Sequence, residues 1–181
     1  MNRIIIYTFT FLALQLVGCA SVPKKDNTEL SLRKSLPIQI FMGTCVVGRA
    51  SSDAVASQAL EMGFSEARSN VAQSYLRGNS GRAWHLKNEQ GEFGLTALNN
   101  SLCSVFIHQG EPEKLQASME SWLPPGNSGF SYKKELVSQS EYLTTTSYQL
   151  FRAGKLVEQW VITLNSQPDA ELVAIMSYDS P

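Results

Sequence analysis

From Ala83 to Ile107 the chain runs through three strand-length segments of alternating apolar and polar residues, and this restricts the fold more than any other feature. Ala83-Trp84-His85-Leu86-Lys87 is separated from the run Phe93 to Leu98 by Asn88-Glu89-Gln90-Gly91, and that run from Leu102 to Ile107 by Asn99-Asn100. Period-two alternation with Gly and Asn punctuation predicts a three-strand antiparallel meander. Four further strands are expected near Phe130–Val137, Tyr142–Phe151, Leu156–Leu164 and Leu172–Tyr178, with Arg152-Ala153-Gly154-Lys155 as a hairpin turn. Leu156, Trp160, Ile162 and Leu164 share one face and should enter the core, with the acid Glu158 interrupting their row.

Helical spacing occurs elsewhere. Ser51-Ser52-Asp53 offers a helix start, Val55, Ala56, Ala59, Leu60 and Met62 follow at helical intervals, and Gly63 is placed to stop the helix. A second helix is expected over Ser65–Arg77, with Val71 and Tyr75 four apart and Gly78 after it. Pro112 opens a third, whose stripe is Leu115, Met119, Trp122 and Leu123, before Pro124-Pro125-Gly126-Asn127 ends it. The expected class is therefore α+β: an antiparallel sheet of about six to seven strands, the first three a meander, with two to three helices packed on one face. It would form a single globular domain over residues 38–181 without internal repeat.

The first eighteen residues follow another pattern. Arg3 is their only charge, and Ile4 to Leu16 is apolar apart from little more than Thr8, Thr10 and Gln15. A positive start, a short apolar run and a small-residue exit read as a signal peptide over residues 1–18. The run falls short of the ~20 residues that a membrane-crossing helix takes.

Leu16-Val17-Gly18-Cys19 at its end resembles the bacterial lipobox. The resemblance implies cleavage before Cys19 and acylation of its thiol, so that membrane lipid is the first partner. Each buried methylene contributes about 0.8 kcal/mol, so two or three chains on one residue anchor a protein that has no spanning helix. Ala20, rather than Asp, follows the cysteine, which by the same resemblance points to the outer membrane of a Gram-negative envelope. Residues 19–37 read as the lipidated end and a polar, flexible tether, with Lys24, Lys25, Asp26 and Glu29 between Pro23 and Pro37.

With Cys19 acylated, Cys45 and Cys103 remain as an even pair in an oxidising compartment. A disulfide between them is the expected arrangement; two buried thiols that never meet are the alternative. The 15 basic and 16 acidic side chains of the whole chain argue against nucleic acid as a partner. His85 and His108, two strands apart on the meander, should be ordinary surface histidines too distant to share a metal, so neither metal nor cofactor is expected. The chain contains no Gly-x-Ser-x-Gly and no His-Glu-x-x-His, and no catalytic residue is assigned. Tyr142, Thr144, Thr146 and Tyr148 line one face of a strand, read as a solvated sheet face and a candidate binding face.

Cys45 ahead of a helix, Gly81-Arg82-Ala83-Trp84, Gly91-Glu92-Phe93 and Leu102-Cys103-Ser104-Val105-Phe106 together resemble an uncharacterised family of small proteobacterial envelope lipoproteins. The resemblance spans roughly Phe41 to Leu123 and implies a fold and a paired cysteine but no activity. The expectation is a membrane-anchored, non-enzymatic accessory that binds an envelope protein, glycan or lipid. The alternative is a small hydrolase, or an inhibitor of one, acting on envelope material.

Overall fold

The computed structural model describes residues 27–180. Residues 1–18 and Cys19 lie outside this range. Among the described residues five helices precede or interrupt the strands: α1 (Asn27–Arg33), α2 (Leu36–Ile40), α3 (Ser52–Glu61), α4 (Ser69–Leu76) and α5 (Pro112–Glu120). A π-helical turn, Phe41–Val46, continues α2. The strands are β1 (Ser65–Glu66), β2 (Gly81–Asn88), β3 (Gly91–Leu98), β4 (Leu102–Ile107), β5 (Phe130–Gln139), β6 (Leu143–Arg152), β7 (Lys155–Asn165) and β8 (Ala174–Asp179).

All eight join one antiparallel sheet in the order β1-β2-β3-β4-β8-β7-β6-β5, one or two strands more than expected. The extra strand is the two-residue β1, too short for any alternation to reveal. The meander is β2–β3–β4, and its turn at Asn88↔Gly91 is in the expected place. The C-terminal hairpins add β5–β6–β7, and β8 closes the sheet by inserting between β4 and β7.

Alternation sorts the side chains onto two faces. Trp84, Leu95, Val105, Met176 and Ile162 stand in one cross-strand row and are buried. Against this face pack α2, the π turn, α3 and α5. Phe41 meets Trp160 edge-on, with ring centres 5.8 Å apart. Glu158, the acid in the Trp160 row, accepts the indole N–H of Trp160 at 3.1 Å, which explains a charged residue there. Cys45, on the π turn, is bonded to Cys103 on β4, with Cα atoms 5.3 Å apart, and both are wholly buried.

Three expectations need correction. The helices do not share one face: α4 lies on the opposite one, where the Tyr75 ring rests on Phe106 at 4.9 Å between centres. Gly94 makes this possible, because a Cβ there would run into the Tyr75 ring. In the stretch read as a flexible tether, Asn27–Arg33 is helical and Leu36 and Pro37 already open α2, which carries Ile38 and Ile40 of the expected domain into the core. Leu60 and Trp122 fall outside the stripes assigned to them, at 62% and 36% exposed, whereas Val55, Ala59, Leu115 and Met119 are buried as expected.

A candidate binding groove beside helix α4

The Tyr/Thr row does not remain one solvated face. Tyr142 is 41% exposed just before β6 and Thr144 is half-buried, but Thr146 and Tyr148 are 3% and 0% exposed. They belong to the core face, which α5 covers. The Tyr148 hydroxyl donates to Glu120 at 2.6 Å, and Lys134 donates to the same carboxylate oxygen at 2.7 Å. Burial alone would raise Glu120, but the hydrogen bonds from Lys134, Tyr148 and Gln116 outweigh it and hold the carboxyl below its ordinary value. Burial and the bond to Glu120 push the Tyr148 phenol up. This cluster fastens α5 to the sheet and offers a ligand little access.

A more open constellation forms on the other face. Helix α4 ends because Gly78 and Asn79 cap it: the Asn79 backbone and side-chain amides both donate to Leu76 O at 2.9 Å. Arg77 is thereby forced into the left-handed region (φ 48°) and swings out of the helix. It separates two depressions. One, about 160 Å³, is lined by Tyr75, Phe106, His108 and Glu171; the other, about 280 Å³, by Leu143, Thr163, Asn165 and Ile175. Arg77 and Leu172 line both, so the two hollows lie side by side with a shared wall at the end of α4 and together make up the candidate groove.

Inside the groove the histidine is committed. His108 Nδ1 lies 2.8 Å from the Glu171 carbonyl oxygen, a pure acceptor, so this nitrogen carries the proton. Its Nε2, 3.1 Å from Tyr75 Oη, then accepts the phenol. Burial, followed by the charges of Glu92 and Glu171, pushes Tyr75 up to about 12, so it stays a donor near neutral pH. His85 lies on the same sheet face behind this pair. Its Nε2 contacts Glu92 at 3.1 Å, and Lys87 contacts the other Glu92 oxygen at 2.7 Å. These two hydrogen bonds, Lys87 first, keep the Glu92 carboxyl below its ordinary value.

Both histidines are thus half-buried and hydrogen-bonded, not free surface groups. Among the described residues no cluster of three His, Cys, Asp or Glu has metal-binding geometry. Sequence reading missed Tyr75, Arg77, His108 and Glu171 as neighbours. The only available signal was Gly94, a small residue inside a strand, which marks close approach by another element. Against this geometry, no protein family, no curated protein and no solved structure matches the chain.

Proposed function

We propose that the chain is a lipid-anchored envelope accessory that acts by binding a protein or glycan in the groove beside α4. The observation that carries this reading is the engagement of both His108 nitrogens, one by the Glu171 carbonyl and the other by Tyr75. A histidine held this way has no free lone pair for a serine or a water, and Ser74, at the rim, donates its hydroxyl to Val71 O at 2.7 Å. The groove therefore offers hydrogen-bond donors and acceptors, the Arg77 guanidinium and aliphatic floor, a mixture suited to recognition. The lipobox supplies the anchor at Cys19.

Two measurements test the two halves of the proposal. A fatty-acid probe should label the wild-type protein and leave Cys19→Ser unlabelled; undiminished label on the variant would overturn the anchor. A photoreactive residue at Leu143, on the groove floor, should capture an envelope protein or glycan in intact cells, and Arg77→Ala should reduce that capture severalfold. Hydrolysis of ester or glycan substrates by the purified protein, lost in His108→Ala, would replace the binding reading with an enzymatic one.

A further inference from the structure

We infer that β5 is a dimerisation edge at which two copies of this chain join their sheets. The sheet has two ends. One is β1, two residues long and unable to template a ladder. The other is β5, ten residues long and paired on one side only, with every residue beyond Phe130 exposed. Helix α5 packs over β7 and touches β6 through Tyr148 and β5 through Lys134, both at Glu120, while β5 stays exposed along its length. Tyr132 and Leu136 are 47% and 57% exposed there. An edge of this length with free backbone donors and acceptors invites another strand.

Its sequence selects a second copy as that strand. Charged residues at an edge usually discourage pairing, but here their order is complementary to itself. Antiparallel pairing about a two-fold axis normal to the sheet keeps like faces together, so the axis passes midway between one residue and the same residue of the partner. Centred on Lys134, this register sets Lys133 opposite the partner's Glu135 and Glu135 opposite the partner's Lys133. It also sets Tyr132 beside the partner's Leu136, twice over, covering the exposed apolar residues of that face. Opposite charges and aromatic–aliphatic pairs directly across a ladder are both favourable. The two lysines at the axis are each already held by their own Glu120 at 2.7 Å. Lys133 and Glu135 contact each other within one strand at 3.0 Å on the face away from the core, so both are in place to meet the opposite pair.

Native mass spectrometry of the full mature chain released from detergent tests this. Wild type should be dimeric. Lys133→Glu sets four acids together and Glu135→Lys four bases, so each variant alone should dimerise about tenfold more weakly or worse. Mixing the two variants restores both opposite-charge pairs across the interface, and a heterodimer should form at close to wild-type strength. An effect on folding alone would not be repaired by mixing. Wild type that is monomeric at tens of micromolar, single variants as dimeric as wild type, or a mixture that stays monomeric would each overturn the proposal. Pairing of β5 with a different protein would show as the first of these outcomes.

Discussion

Replacing Cys45 and Cys103 together by alanine removes a crosslink between residues 58 apart, joining the π turn to the centre of the sheet. In the chain-entropy model a loop of this length constrains the unfolded chain by about 14 cal/mol/K, or about 4 kcal/mol at 25 °C. Both sulfurs are wholly buried, so the variant also loses their packing, which adds about 1 kcal/mol. With a urea slope of about 2 kcal/mol/M for a domain of this size, the unfolding midpoint should fall by about 2.5 M. Wild type reduced with dithiothreitol separates the two contributions, because its thiols still fill the site while the loop is open. It should fall nearly as far as the alanine variant. A reduced protein whose midpoint stays within about 0.3 M of the oxidised one would refute the loop-closure reasoning.

The remaining predictions concern the two hydrogen-bonded clusters and the seat of α4. Gly94→Ala drives a methyl group into the Tyr75 ring and should destabilise by about 1–3 kcal/mol in urea melts; in a Tyr75→Ala background the same change should cost almost nothing. Tyr148→Phe removes a donor to the Glu120 carboxylate and should lower stability by about 1–2 kcal/mol, an effect absent when Glu120 is already Ala. Glu92 and Glu120 have lowered folded-state values, so the stability they contribute is complete above the ordinary 4.5 and lost as pH falls through their folded values. Tyr75 is raised, so its contribution is complete below 10 and lost as pH rises through about 12. Urea midpoints should therefore form a plateau between about pH 5 and 9.5 with both shoulders falling; a profile flat from pH 3 to 6 would exclude the carboxylate argument.

What the sequence disclosed is what local periodicity encodes. The β2–β3–β4 meander, the Gly63 stop and the Pro112 start follow from turn chemistry and alternation within a few residues. The helical course of Leu36–Val46 was not legible. Ile38, Ile40 and Phe41 are spaced as much like a strand as a helix, and burial beside the Cys45–Cys103 bridge decides between them. Nor was the burial of Thr146 and Tyr148, because polar residues alternating on a strand give no hint of which face a distant helix will cover. Tyr148 is buried only because α5, ending 28 residues earlier at Glu120, brings a carboxylate to its hydroxyl. The groove was hidden for the same reason: Tyr75, His108 and Glu171 come from three separate segments and meet only after β8 has inserted between β4 and β7.

The two faces of the sheet also differ in how firmly they are dressed. The core face is closed by a disulfide, the π turn and helices that bury Ile38, Phe41, Val55 and Met119. On the other face α4 spans eight residues and buries none completely; Tyr75 on Gly94 and Phe106, with one bond to His108, is its main attachment. An eight-residue helix is marginal without tertiary support, so α4 belongs at the low-stability end of the domain. Its undocking would take away Tyr75 and Arg77, and with them one wall of the groove. Any ligand that uses this wall therefore binds only the docked form and must stabilise α4 by RT ln(1 + [L]/Kd), about 2.7 kcal/mol at a hundredfold excess over Kd. Occupancy of the groove and order in α4 are then one equilibrium, and Gly94, which touches no ligand, controls both.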